Sequence, residues 1–392
     1  MVRREELRND GLGPSKLPDV GTTIFTVMSR LAEEHGAVNL GQGFPDYEPP
    51  PVLLEALVRH ANAGRNQYAP MAGVLRLRQA IARHIANAHG LALDPETEIT
   101  VTSGATEAIF DAIAAVVRPG DEVVVLDPSY DSYEPSVVLQ GGRAVHVPLR
   151  LPDFSIDFER LKQALGPRTR LVVLNFPHNP SGAVLTRADL DSLAELLRDG
   201  TALVLSDEVY EHIVFDGREH ESVLRHPELA RRSVQVGSFG KTFHATGWKV
   251  GWAAAPAALS AELRKVHQFV TFSTSTPAQH AIADVLDTDA SHVTGLSGFY
   301  QEKRDRFREL IAGLPLRPFP VAGAYFQLVD YSAVGAMPDT EFARHLTTKI
   351  GVAAIPLSPF YAVPPDEKIV RFCFAKSEQT LELAAERLAK LR

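Results

Sequence analysis

Between about residue 95 and residue 255 the chain alternates short apolar runs with stretches of helical periodicity. The runs are EVVVL from Glu122, AVHVPL from Ala144, LVVLN from Leu171, ALVLS from Ala202, SVQVG from Ser233 and VGWAAA from Val250. Continuous β-branched runs of this length belong to strands covered on both faces. Between strands, ATEAIFDAIAAVV sets Ile109, Ala112, Ile113, Val116 and Val117 at helical spacing, which predicts a helix with one core-facing side. Strand–helix alternation of this kind predicts an α/β domain with a parallel sheet wrapped by helices. After about residue 285 the pattern changes. A charged helix, YQEKRDRFREL, leads to the shorter strands AYFQLV and KIVRFCFA and a closing helix, SEQTLELAAERLAKLR, as in a smaller α+β domain. Residues 1–50 have no core of their own, so they are expected to form an N-terminal arm, beginning MVRREELRNDGLGPSKLP, and to pack with that second domain. The expected division is 1–50, 51–285 and 286–392.

Composition narrows the partners. Forty basic against forty-eight acidic residues give a net charge of −8. With no basic stripe and no interleaved aromatics, nucleic acid is not an expected partner. No run of eighteen apolar residues occurs, and the start lacks the apolar stretch of a signal peptide, so no membrane is expected and cytoplasm is the default. The single cysteine, Cys373, can form neither an intrachain disulfide nor a cysteine metal cluster; it reads as a core residue in a reducing compartment, and no metal is expected.

The polar residues that follow the strands carry the chemistry, because open α/β sheets bind ligands beyond the carboxyl ends of their strands. Asp127, Pro128 and Tyr130 follow one strand, and PHNPSG with Asn179 follows another. Asp207 and Tyr210, in SDEVY, follow a third; Ser238 and Lys241, in SFGK, follow a fourth. Each has an ordinary explanation alone: a turn asparagine before Pro180, a helix cap, a packing aromatic, a surface charge. Their joint order points to one site. Thr102–Gly104, TSG, opens the apolar helix after the strand ITV, so its free N–H groups favour an anion; with Ser238 and Lys249 they make a phosphate cradle.

The ordered set TSGATEA, DPSYDSY, NFPHNPSG, SDEVY and SFGKTFHATGWKVGW resembles the pyridoxal-phosphate-dependent aminotransferases of fold type I. GQGFPDYEPP, NQYAP and TPAQ bring the likeness nearer to the methionine aminotransferases and the kynurenine and glutamine transaminases, over nearly the whole chain from Thr22.

That resemblance implies pyridoxal 5'-phosphate as cofactor and Lys241 as the lysine that bonds its aldehyde. It implies that Asp207 pairs with the ring nitrogen, that Tyr210 and Asn179 hydrogen-bond the phenolic oxygen, and that Tyr130 stacks on the ring. Gly104, Ala105, Thr106, Ser238 and Lys249 would hold the phosphate. Tyr68 would reach it from the neighbouring subunit of a homodimer with shared sites. Arg371 would fork onto the substrate α-carboxylate beside Gly43 and Asn179, a task that suits its planar geometry. Phe25 and Phe272 would wall the side-chain pocket. The implied reaction is ping-pong transfer of an amino group from a neutral L-amino acid to a 2-oxo acid. Carbon–sulfur β-elimination from cysteine conjugates, on the same lysine and cofactor, is the alternative. A ligand-sensing regulator on this fold would need a DNA-binding extension, for which the chain has neither the length nor the charge.

Overall fold

The computed structural model describes residues 14–288 and 291–391. Of the arm expected at the N-terminus, residues 1–13 lie outside the described residues. The first elements are helix α1 (Ile24–Glu34), capped by the Thr23 hydroxyl, and the short strand β1 (Val38–Asn39). Helix α2 (Pro51–Asn62) starts with proline at its first turn, where a missing N–H removes no helical bond. Helix α3 (Leu75–His89) stops at Gly90, which takes the left-handed conformation that glycine tolerates at a helix end.

Seven strands then build the main sheet: β2 (Ile99–Thr102), β3 (Glu122–Asp127), β4 (Arg143–Pro148), β5 (Thr169–Asn175), β6 (Leu203–Asp207), β7 (Ser233–Ser238) and β8 (Gly251–Ala254). Their spatial order is β2-β8-β7-β6-β5-β3-β4. The run of β3 to β7 is parallel, as the apolar strands foretell, but β8 runs antiparallel to both β7 and β2. The connection explains the reversal. Between Ser238 and Gly251 the chain makes only a four-residue helix, Phe239–Thr242, and a single 3-10 turn, Thr246–Trp248. It therefore re-enters the sheet from the end it left, without the long crossover that a parallel return requires. Helix α4 (Gly104–Val116) follows β2 directly and buries Ile109, Ala112, Ile113 and Val116 against the sheet.

The remaining strands are β9 (Arg317–Pro318), β10 (Phe326–Asp330), β11 (Val352–Ala353), β12 (Ile355–Pro356) and β13 (Ile369–Cys373). An antiparallel sheet of order β12-β13-β10-β9 is accompanied by the pair β1-β11. Val38 and Asn39 pair in parallel with Val352 and Ala353, and the Cys373 amide donates to the Leu40 carbonyl at 2.7 Å. The N-terminal segment thus buries its apolar residues against the C-terminal strands.

This arrangement brings the carboxyl ends of β5, β6 and β7, the start of α4 and the start of β8 to one place. The junction is tight at Gly251, opposite both Thr102 and Ser238. A Cβ there would lie 2.7 Å from the Ala105 amide nitrogen and 2.8 Å from the Gly104 carbonyl carbon. Backbone cannot yield as a flexible side chain can. Gly251→Ala is therefore expected to destabilise the fold by about 1–3 kcal/mol, the usual range for overpacking. The drop in thermal midpoint should come with weaker retention of ligands at the α4 start; an unchanged midpoint would contradict this packing.

Candidate active site

A cavity of about 340 Å³ lies at that junction. Phe25, Gly43, Gly104, Ala105, Thr106, Tyr130, Asn179, Asp207, Tyr210, Ser238, Lys241, Lys249 and Arg371 all line it. Residues from five strand ends and from the N-terminal segment thus meet in one space. Two further residues singled out in the sequence, Tyr68 and Phe272, stand outside the cavity. They are 83% and 43% exposed and pack edge to face, with ring centroids 5.5 Å apart.

Gly104 has φ +75°, and a Cβ on it would lie 3.2 Å from Lys249 Nζ, so glycine lets this ammonium approach the backbone. Ser103 gives α4 no side-chain cap, which leaves helix-end N–H groups free for an anion. Lys249 itself adopts left-handed backbone at φ 53°, a conformation costing about 1–2 kcal/mol for an L-residue. Among the described residues its ammonium has no carboxylate partner. A free cation, free amides and a glycine opening fit a phosphate group.

Asp207, the last residue of β6, is buried and accepts a hydrogen bond from the Tyr133 hydroxyl at 2.6 Å. Burial pushes its carboxyl up to about 6, against the Tyr133 hydrogen bond and the nearby Lys241 charge. With no cation paired to it among the described residues, this carboxylate fits a ring N–H held protonated beside it. Asn175, at the end of β5, braces the turn: its amide donates to the Asp207 carbonyl at 3.1 Å and its oxygen accepts from the Asn179 amide at 3.0 Å.

Lys241 Nζ donates to the Gly43 carbonyl at 3.2 Å and lies 5.7 Å from the ring centres of Tyr210 and Tyr325. Burial pulls its ammonium down to about 8, and the Arg371 and Lys249 charges act in the same direction. Tyr210 is buried, and burial raises its phenol. Burial, chiefly, raises the Tyr130 phenol up to about 12.

Arg371, on β13, is 1% exposed. Its Nη1 donates to Asn179 Oδ1 and its Nη2 to the Gly41 carbonyl, each at 2.8 Å, while Nε is buried without a partner. The guanidinium lies 4.2 Å from the Phe326 ring centre and 5.1 Å from that of Phe25. It makes no ion pair among the described residues. Gly43 sits alongside, where a Cβ would meet the Phe326 ring at 3.2 Å and Arg371 Nη2 at 4.0 Å.

The family profile "Aminotransferase class I and II" matches residues 35–388. The chain belongs to the class I and II aminotransferases. It is 52% identical to a methionine aminotransferase of Escherichia coli K12, over 98% of this chain and 100% of that protein. A solved Escherichia coli structure described as having methionine aminotransferase function superposes with a TM-score of 0.95 at 52% identity, covering 96% and 99% of the two chains. The N-succinyldiaminopimelate aminotransferase structure from Mycobacterium tuberculosis gives 0.94 at 41% identity, covering 97% and 100%. Mouse kynurenine–oxoglutarate transaminase 1 is 36% identical over 95% of this chain and 96% of its own. The protein is thus a pyridoxal-phosphate-dependent aminotransferase of the α/β fold type I class, with amino-acid and 2-oxo-acid substrates. No helix among the described residues is long and apolar enough to cross a membrane.

Several residues that line the cavity or brace its lining were not singled out from the sequence. Tyr133 holds Asp207, Asn175 braces the loop, Tyr325 donates to the Gly43 carbonyl at 2.7 Å, and Phe326 lies against Arg371. Tyr133 is the second tyrosine of DPSYDSY, and the other two aromatics lie in AYFQLV. Their motifs were visible, but which site residue each one contacts depends on the tertiary fold.

The Lys241 shift has a direct consequence in cofactor-free protein. As pH rises through about 8 the amine loses its proton and becomes nucleophilic. Modification of Lys241 by an amine-selective acylating reagent, followed by peptide mapping, is expected to rise with a midpoint near 8. A midpoint near the ordinary lysine value, about 10.4, would remove the desolvation argument.

Proposed function

We propose that this aminotransferase takes neutral, extended L-amino acids such as methionine, glutamine or aromatic residues as donors, and works as a homodimer with shared sites. The observation that carries the donor class is the charge inventory of the cavity. Its lining cations are Lys241, Lys249 and Arg371. The first two are the cofactor's in this reading and the third the α-carboxylate's, which leaves no cation for a distal carboxylate. Arg264 donates to the Thr100 hydroxyl and to the Glu96 and Ile99 carbonyls, and Arg65 pairs with His280. Neither lines the cavity. The walls offered to the side chain are Phe25, Phe44, Val209 and Phe326. The 52% identical methionine aminotransferase supports the same donor class.

Pyridoxal phosphate, when bound, supplies an aldehyde for the donor's amine and a ring that takes up the electrons released at Cα. The residues do the rest. Gly104, Ala105, Thr106, Ser238 and Lys249 hold the phosphate, and Asp207, steadied by Tyr133, accepts from the ring N–H. Tyr210 and Asn179 donate to the phenolic oxygen, and Tyr130 covers the ring. Arg371 turns its donors to the α-carboxylate beside Gly43, orienting the Cα–H bond toward Lys241. The Lys241 amine, neutral over part of the population near pH 8, takes that proton and returns it, acting as general base and then general acid. Asp207→Asn would break the ring contact; Arg371 reports on substrate alone. In this reading Tyr68 and Phe272, exposed side by side on one chain, complete the partner's phosphate site and side-chain pocket.

The two lysines separate by substitution. Lys241→Ala is expected to abolish turnover while the cofactor stays held by the cradle and Asp207. Lys249→Ala should weaken cofactor retention on gel filtration and leave chemistry largely intact in the loaded fraction. The reverse pattern would exchange their roles.

Donor choice is decided by comparing kcat/KM for methionine and aspartate with one common 2-oxo acid. A buried distal carboxylate without a partner costs several kcal/mol. Methionine gains about 0.8 kcal/mol per buried methylene, and its sulfur gains from the aromatic wall. Methionine is therefore expected to exceed aspartate by about 100-fold or more, given about 1.4 kcal/mol per tenfold. A ratio near one would overturn the neutral-donor reading. Release of pyruvate from cysteine conjugates in place of amino transfer would favour β-elimination.

A further inference from the structure

Behind the cofactor site lies a group of side chains that transamination does not use. Asp207, ending β6, and Tyr210, on the turn after it, face the cavity, while Glu208, Glu211 and His212 project to the other side. There Glu211 meets His84 and His89, both on α3, with His220 close by. A second cavity, of about 370 Å³, opens over this group.

We propose that His84, Glu211 and His212 bind a divalent transition-metal ion of the zinc class. His84 Nε2 lies 3.1 Å from Glu211 Oε2, and His212 Nε2 lies 3.6 Å from Glu211 Oε1. One ligand atom from each of the three falls within 4.8 Å of the other two. Zinc bonds of about 2.0–2.2 Å in a tetrahedral shell put neighbouring ligand atoms about 3.3 Å apart, so only small side-chain movements are needed to close the set.

One further observation points to a missing partner. Glu211 is 6% exposed, and its Oε1 is buried with no hydrogen bond. A buried carboxylate oxygen left bare beside imidazole nitrogens is an expensive arrangement for a purely structural contact. It is the ordinary arrangement for two imidazoles and a carboxylate around a metal that keeps an open position. Imidazole nitrogen favours zinc, cobalt, nickel or copper over calcium and magnesium, which prefer all-oxygen shells. Glu208 adds a carboxylate nearby, against His220. Arg225, the cation lining this cavity, is engaged by the Glu219 carboxylate at 2.9 Å and the His220 carbonyl at 3.2 Å. His89 Nε2, 3.4 Å from Glu211 Oε2, is placed to orient the carboxylate.

The test uses untagged, cofactor-loaded enzyme, freed of metal by a chelator and titrated with Zn²⁺ by calorimetry. A single ion per chain is expected. His84→Gln and His212→Gln should each weaken binding by at least the ~10–100-fold that loss of a supporting partner costs, while His35→Gln leaves it unchanged. Co²⁺ in place of zinc should give the intense visible bands of a four- or five-coordinate ion, lost in His84→Gln. Should a variant fail to fold, the wild-type chain still decides. Zn²⁺ is expected to protect His84 and His212 from diethyl pyrocarbonate, as mapped by mass spectrometry. Absence of binding, binding undiminished in both variants, or no protection of these two histidines would overturn the proposal.

Discussion

Asp207, Lys241 and Arg371 are drawn around one cavity with no ion pair among them, and the rest of the site follows from that constraint. Taking an isolated charge out of water costs several kcal/mol unless something compensates it. Compensation inside the chain is partial. Tyr133 reaches Asp207, two carbonyl or amide oxygens reach Arg371, and the Gly43 carbonyl reaches Lys241. In the proposed reaction each group would meet a different partner: a ring N–H for Asp207, an α-carboxylate for Arg371 and an aldehyde for Lys241. The depressed lysine and the raised aspartate express the same deficit.

The sheet explains how such groups can be held close without collapsing onto each other. Each sits on backbone that is already bonded: Asp207 at the end of a strand, Lys241 on a short helix just after one, Arg371 in the middle of one. Asp207 terminates β6, Ser238 terminates β7, and Arg371 is locked between β10 and β12. The reversed strand β8 matters most. By returning antiparallel it sets Lys249 against Gly104, so the cation and the helix end face the same space from two sides. The turn after β6 is shared as well, with Tyr210 on the cofactor side and Glu211 on the histidine side.

Much of this was legible in one dimension. Continuous apolar runs marked strands β3 and β5 to β7, because a strand covered on both faces has no polar side to show; β4, from the run AVHVPL, is instead the half-exposed edge strand. The polar residues after those runs marked the cavity, because ligands sit beyond strand ends in this architecture. Lys241, Asp207 and Asn179 could be picked out through ordered motifs and Arg371 through its strand and the family resemblance, and the family profile and relatives bear out the aminotransferase reading. Tyr133, Asn175, Tyr325 and Phe326 could not. Each is an ordinary aromatic or amide whose role depends on which residue it faces across the sheet.

The sequence by itself thus determined the fold class, the cofactor chemistry and the main charged residues, because hydrophobic period and motif order are local properties of the chain. Tertiary structure alone decided the direction of β8, the bracing of Asp207 by Tyr133, the bare Nε of Arg371 and the meeting of α3 with Glu211. Those depend on pairing between segments far apart in sequence. His84 and Glu211 are separated by 127 positions, yet their polar atoms lie 3.1 Å apart. No periodicity encodes such a contact; it arises only when packing of the apolar faces has settled where each helix lies against the sheet.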